Sequence, residues 1–430
     1  MQENKGRPKA VVVGGSIAGI SCAHALIKAG WEVQVLEKST APPTGCSTGA
    51  GLGLDPLSQR LLQSWLSRPE LLFESTLPLA TEKVNTLSNR AIVGGESKKG
   101  WVLTKDENLN FRAAHWADLH GLLYSELPPE IFLWGHIFLS LSKSDGKNSV
   151  KIVAKGVQTD EIVEIEGDLV VAADGCLSSI RHTFLPNFEL RYSGYCVWRG
   201  VFDFLENENS ETIMNIRKAY PEIGKCLYFD LASGTHIGLF EIPNKKINWI
   251  WFVNQQEPLL KARSMTMKAN EEMVRKLHKQ VDEIWVPEFA RVVKETKHPF
   301  INVIYDSDPL KQLVWDNVVL VGEAAHPTTP HCARSTNMSI LDAEVLGKCL
   351  KKWGVEYLET ALAEYQSLRL PIVSGQVLHS RHVGLIKQGL ALPNHERFDS
   401  MVVTTTENLQ EIQIRNTPFL DDVPQVINLV

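Results

Sequence analysis

Near the N-terminus, Gly14-Gly15-Ser16-Ile17-Ala18-Gly19 has the spacing of a loop that can cradle a phosphate. Gly14 permits a tight turn, and Gly19 lets the following helix pack close to the preceding strand. The N-terminus of that helix would offer unpaired amides and the positive end of its dipole to a pyrophosphate. Ser16 stands where such a loop usually has its second glycine; it costs approach distance but can donate a hydrogen bond. Glu37, followed by Lys38, falls where a carboxylate can accept from ribose hydroxyls and disfavour a 2′-phosphate. Alone, such a glycine string is more often an ordinary turn. With a strand before it, a helix after it and the acid in place, it argues for a nucleotide.

Two further segments repeat the theme. In Asp168–Arg181, Asp174 and Gly175 end a buried strand where a polar turn can meet a ligand. Ser178 and Arg181 could cap the next helix and carry positive charge; a plain turn with an N-cap is the alternative. In the second segment, a strand ends at Gly322 and Glu323 before a proline-rich loop that contains Pro330 and leads to Ser335, Thr336, Asn337 and Asp342. A carboxylate there can hold a ligand hydroxyl, and the helix N-terminus beyond it can stabilise negative charge. His326, His331 and Cys332 share this loop. Either histidine could act as a general base near neutrality, and Cys332 is a reactive thiol only if its pKa is lowered. Structural hydrogen bonding and simple packing are the competing readings.

The elements that must position these groups follow from apolar patterning. Ala10–Val13, the helix after Ser16 and Glu32–Glu37 form strand, helix and strand in under 30 residues, which implies a parallel sheet. Glycine and proline cluster in 41–53, which ends with Gly51 and Gly53. Helices are expected at 56–67 and 116–126, and a buried strand at 168–174. Segments 198–204, 226–231, 236–242 and 248–254 read as a separate antiparallel sheet. A strand at 317–321 precedes a helix over 337–351, and 357–388 reads as helical with a break at Pro371.

In this order and spacing, GGSIAG with its trailing glutamate, D-x-x-x-x-A-D-G-x-x-S-x-x-R and G-E-A-A-H-P-x-x-P resemble the FAD-dependent aromatic hydroxylases of the para-hydroxybenzoate hydroxylase type. The block Tyr192–Gly200 is similar to their dihydroxypyridine-hydroxylase branch and its plant relatives. The resemblance spans roughly residues 10 to 380. It implies an α/β fold: a Rossmann-like FAD-binding domain with a parallel sheet, an inserted antiparallel β-sheet substrate domain, and C-terminal helices. The expected division gives 1–80, 106–190 and 301–430 to the FAD-binding part, and 81–105 and 191–300 to the substrate part.

By the same resemblance Gly14, Gly15, Ser16, Ala18, Gly19, Glu37 and Lys38 would hold the ADP half of FAD. Asp174 and Gly175 would lie near the pyrophosphate. Gly322, Glu323 and the loop from Pro330 through Ser335, Thr336 and Asn337 would meet the ribityl chain and the isoalloxazine, with Gly51 and Gly53 nearby. The family's arginine near residue 116 is Trp116 here, so Arg112 is expected to supply that charge. Tyr195, Trp198, Tyr228, Phe240 and Trp251 are candidate walls for a flat, electron-rich aromatic. The implied reaction is hydroxylation or epoxidation of an aromatic or alkaloid-like substrate, with NAD(P)H as transient reductant and dioxygen activated as a flavin hydroperoxide.

The sequence departs from that pattern at two points. Glu323 replaces the usual aspartate, and Pro330-His-Cys-Ala-Arg-Ser-Thr-Asn337 lacks the family's loop glycines, so either the loop shifts or the flavin sits differently. Two alternatives stay open: a flavin oxidase or dehydrogenase acting on an amine or alcohol, and a non-redox cyclase or isomerase with structural or lost FAD. Net charge of −6 calls for neither nucleic acid nor an anionic membrane. Seven scattered cysteines with no C-x-x-C suggest neither a disulfide framework nor a metal site. The longest apolar run, 131–141, is too short to span a bilayer. A cytoplasmic monomer or homodimer without stable membrane insertion is expected.

Overall fold

The computed structural model describes residues 6–43, 49–87, 99–144, 149–259, 264–392, 397–399 and 409–420. Cys46 and most of the tail after Pro393 lie outside them. Among the described residues no helix is long and apolar enough to cross a membrane.

Lys9–Val13 is a strand because its valines are sheathed on both faces, and it sits in the middle of a six-stranded sheet. Glu32–Glu37 and Leu169–Ala172 flank it in parallel, and Phe132–Trp134 and Val318–Leu320 extend the parallel set outward. Only the edge strand Val314–Trp315 runs antiparallel. Helix Ile17–Lys28 packs on one side of the sheet against helix Ser335–Trp353. Their contact is close enough that a Cβ on Gly347 would lie 2.8 Å from that of Ala25. The two ends of the chain thus build one core.

The apolar run 131–141 does not form one element. Gly135, at φ +70°, breaks it into the sheet strand Phe132–Trp134 and a second strand, His136–Lys143. The latter opens a three-stranded antiparallel sheet with Val150–Gly156 and Ile162–Gly167.

The inserted unit is an eight-stranded sheet in the order Thr266–Lys268, Phe300–Asp306, Arg191–Asp203, Lys246–Asn254, Thr235–Ile242, Cys226–Ala232, Thr81–Leu87, Lys99–Asp106. It is antiparallel except that Cys226–Ala232 runs parallel to Thr81–Leu87, which follows Leu77–Leu79 of a small sheet with Gly51–Leu54 and Phe111–His115 rather than a hairpin. Phe300–Asp306 belongs to this sheet, so the expected division at 300/301 falls at the start of one of its strands. Helices Glu211–Ala219, Glu271–Ile284 and Pro287–Glu295 cover one face. The other face looks toward the parallel-sheet unit.

Helix Leu358–Lys387 runs unbroken through Pro371, contrary to the expected break. Pro371 is exposed, while Arg369, Ile372, Val373 and Gln376 beside it are buried. Tertiary packing holds the helix across the missing amide.

Candidate functional site

Gly14 leaves its strand at φ +104°, and a Cβ on it would lie 2.3 Å from the Ala173 carbonyl oxygen. Its amide donates to the Leu36 carbonyl. A Cβ on Gly19 would meet the Gly14 carbonyl oxygen at 1.8 Å. Both glycines are therefore demanded by close packing of turn, strand and helix. Ser16 caps helix Ile17–Lys28 by position but spends no side-chain hydrogen bond on it, and no acid occupies the first turn. The helix N-terminus is left as an anion cradle. Beside it the Glu37 carboxylate accepts from the Gly15 amide at 2.7 Å and the Ser39 amide at 2.8 Å, which fixes its direction.

Gly14, Gly15, Ser16 and Glu37 line a cavity of about 900 Å³ together with Lys38, Trp116, Asp174, Gly175 and Arg181, while Gly19 lies behind it. Ser178 caps the helix Ser179–Phe184, as expected, and its hydroxyl donates to Asp174 at 2.5 Å. Burial raises the Asp174 carboxyl above its ordinary value. Arg181 is buried and donates to the carbonyls of Cys176, Glu323 and Ala324, so its charge ties the second motif to the third. Ala18 and Gly322 line neither this cavity nor the one described next; they pack on each other, since a Cβ on Gly322 would lie 2.8 Å from that of Ala18.

A second cavity, of about 410 Å³, lies between the parallel-sheet unit and the open face of the eight-stranded sheet. Gly51, Gly53, Glu323, Pro330, Ser335 and Thr336 line one side; Phe240, with Phe229, Ile250 and Phe252, lines the other. Trp116 lines both cavities and so marks where they meet. The Ser335 hydroxyl donates to Glu323 Oε1 at 2.9 Å. Asn337 faces neither cavity: it accepts from the Asp55 amide at 3.0 Å and donates to the carbonyls of Gly53 and Ala333, pinning the loop to strand Gly51–Leu54.

By the resemblance the missing glycines fall at positions 333 and 335: Ala333 is left-handed, whereas Ser335 opens helix Ser335–Trp353 in ordinary helical backbone. Cys332 and Ala333 adopt left-handed backbone, φ +68° and +51°, the conformation that glycine takes at least cost. Two non-glycine residues in that conformation give the loop strain of the kind found at ligand clamps.

The structure parts the expected catalytic residues. His326 lines neither cavity; its Nε2 lies 2.6 Å from Asp342, which also accepts from Arg369 and from the Gly322 amide. His326 is thus part of a buried ionic cluster under the loop. His331 does line the second cavity. Its Nδ1 lies 3.3 Å from the Tyr195 hydroxyl and 3.2 Å from that of Thr329, while Nε2 has no partner among the described residues. Burial, then the nearby Lys387 charge, lowers its pKa well below the ordinary value, so it is a neutral ring. Burial pushes the Cys332 thiol up to about 11, so it is not a ready thiolate.

Arg112 does not supply the expected charge. Its guanidinium donates to Thr76 and Phe73 and stacks on the Phe73 ring, away from both cavities. Among the candidate walls Phe240 lines the cavity. Trp198, Tyr228 and Trp251 instead pack in the core beneath the covering helices, because residues an odd number of steps apart point to opposite faces of a strand. Tyr195 is buried behind His331. The true wall at 250 and 252 is the other phase of the same strand. Arg199, inside the Tyr192–Gly200 block but not picked out as a site residue, and Lys387, which carries no signal in the sequence, also line the cavity. Arg199 is half-buried, its Nε is buried and unpartnered among the described residues, and desolvation lowers its pKa to about 10.

A glycine turn at a parallel-sheet helix N-terminus, a fixed carboxylate one strand over, and a second cavity against an inserted antiparallel sheet are the build of a dinucleotide-binding flavoprotein. The chain belongs to the FAD binding domain family, whose pattern matches residues 133–380, and within it to the FAD-dependent aromatic hydroxylases. It is 23% identical over 362 residues to 6-hydroxynicotinate 3-monooxygenase of Pseudomonas fluorescens, covering 84% of this chain and 87% of that one. It is 24% identical over 361 residues to 2,6-dihydroxypyridine 3-monooxygenase of Paenarthrobacter nicotinovorans, covering 79% and 82%. The crystal structure of Klebsiella pneumoniae HpxO complexed with FAD and uric acid shares the fold at TM-score 0.72 and 21% identity, over 90% and 91% of the two chains.

Proposed function

We propose that this chain is an FAD-dependent monooxygenase that uses NAD(P)H and dioxygen to hydroxylate a small, electron-rich aromatic compound. One observation carries the reading: a cavity built of glycine turns and acids meets, at Trp116, a cavity walled by aromatic and aliphatic side chains. The donor set fits FAD. The bare helix N-terminus after Ser16 suits the pyrophosphate, Glu37 a ribose, and Glu323 with Ser335 the polyol chain. Bound there, FAD would supply the passage of reducing equivalents from NAD(P)H and the activation of dioxygen.

The chain's own residues do the rest. Phe229, Phe240, Ile250 and Phe252 present flat apolar surface that orients a ring and excludes water. His331 lines the cavity, is neutral and has Nε2 unpartnered among the described residues, so it can exchange a proton with a ring hydroxyl while Tyr195 and Thr329 hold its other nitrogen. Ala333 keeps a glycine-like backbone at one of the family's two loop-glycine positions, which supports a retained flavin site over a non-redox role.

The test is turnover. Purified protein with NADPH or NADH and a panel of hydroxylated pyridines and benzoates should consume reductant faster with one of them present. Oxygen from isotopically labelled dioxygen should appear in the product. Reductant consumption indifferent to every aromatic, or product oxygen drawn from water, would contradict the proposal.

A further inference from the structure

Lys387 is the last residue of helix Leu358–Lys387, and its side chain lines the second cavity. It is 3% exposed. Its Nζ lies 3.9 Å from the centre of the Phe229 ring, and among the described residues it makes no hydrogen bond or ion pair. The helix terminus favours a cation at this end, but a buried ammonium on an aromatic ring still lacks a counter-charge. Burial lowers the Lys387 pKa; the Glu82 carboxylate opposes that shift but makes no ion pair with it. Glu82 is fully buried, its oxygens accept from the Ile414 amide at 3.0 and 3.3 Å, and burial raises its carboxyl to about 7.

The charge balance of the cavity points the same way. Among the described residues that line it, Arg199 and Lys387 are cationic and Glu323 alone is anionic. Glu323 already accepts from Ser335. His331, also on the wall, is neutral. An unpaired ammonium, an aromatic shelf beneath it and a neutral imidazole nearby form a receptor for an aromatic ring bearing a negatively charged oxygen.

We propose that Lys387 is the specificity residue of this site, receiving the anionic oxygen of an aromatic acid while Phe229 and its neighbours take the ring. This rests on the aromatic-hydroxylase reading and narrows its substrate class to anions. The same ammonium would serve a carboxylate or an ionised ring hydroxyl, so the test has two arms. Cys332 and Ile414, which also line this cavity, offer no competing acceptor of full charge.

The test is binding of matched pairs that differ only in charge, read by calorimetry on the full chain with and without added FAD. One arm compares 2-hydroxybenzoate, nicotinate and quinoline-2-carboxylate with their amides. The other compares 4-nitrophenol, above its pKa, with 4-nitroanisole. The wild type should bind an anion about ten- to a hundredfold more tightly than its neutral partner, as a charge-assisted contact gives. K387M should erase that preference while leaving the affinity for the neutral partner unchanged, and K387R should restore part of it. A merely structural lysine would weaken both members of a pair together. The arm showing the preference identifies the oxygen. No anion bound more tightly than its partner, or a preference that survives in K387M, overturns the proposal. Because the pairs are also measured without flavin, failure to take up FAD would count against the hydroxylase reading and leave this result standing.

Discussion

Gly14 and Ala333 are opposite cases of left-handed backbone. At Gly14 the turn leaves no room for a side chain, so Gly14→Ala should cost about 1–3 kcal/mol from backbone strain alone. The collision with Ala173 should add to that, giving a lower thermal midpoint and lost flavin in the purified protein. At Ala333 a side chain already occupies a conformation that glycine adopts freely. Ala333→Gly should leave stability unchanged or raise it by about 0.5–1 kcal/mol in urea denaturation, once the entropy of the unfolded chain is counted. A loss of more than that would mean that the loop is not strained. The cluster of Asp342, His326 and Arg369 sets a pH dependence. Burial alone would raise the Asp342 carboxyl, but the charges of His326 and Arg369 outweigh it and hold the group at about 2. A carboxyl depressed in the folded state contributes stability above its unfolded value near 4, and that stability is lost as pH falls toward 2. Asp342→Asn should therefore cost about 3–5 kcal/mol at pH 7 by stranding Arg369, and it should flatten the acid limb of the stability curve.

The eight-stranded sheet separates stability from recognition by the phase of its strands. Phe240, Ile250 and Phe252 face the cavity, whereas Trp249 and Trp251 face Phe289 and Trp285 beneath the covering helices. Trp251→Ala should cost about 3–5 kcal/mol of stability while leaving the ranking of bound aromatics intact. Phe240→Ala should do the reverse, measured as a changed ranking with a smaller loss in thermal midpoint. The sequence made the strands themselves legible through runs of Val, Ile and Trp. Their phase was not legible, because both faces of this sheet are apolar and alternation vanishes when both faces are buried. The same blindness hid the split at Gly135 inside an apolar run, and the continuity of the last helix through Pro371, which packing around Arg369 decides. The nucleotide cradle could be read early because its requirements are local: glycine where no Cβ fits, and an acid one strand away. Arg199 and Lys387 come from a long strand and a helix end nearly 190 positions apart, and only the tertiary fold sets them on one cavity.

At the scale of the molecule, the chain crosses between the parallel sheet and the eight-stranded sheet several times, and the second cavity lies where those units meet. FAD bound across both cavities would contact the first strand, the loop after Gly322 and strand Gly51–Leu54 at once, so it should act as a clamp. Adding FAD to flavin-stripped protein should stabilise it by about 2.7 kcal/mol at a hundred times the dissociation constant. The most direct test of the central claim is the visible absorption spectrum of the purified chain, with release and quantitation of the bound chromophore. The structure predicts an oxidised-flavin spectrum and one FAD per chain, lost in Gly14→Ala. A colourless protein that takes up no added FAD would contradict it and leave only the inherited fold.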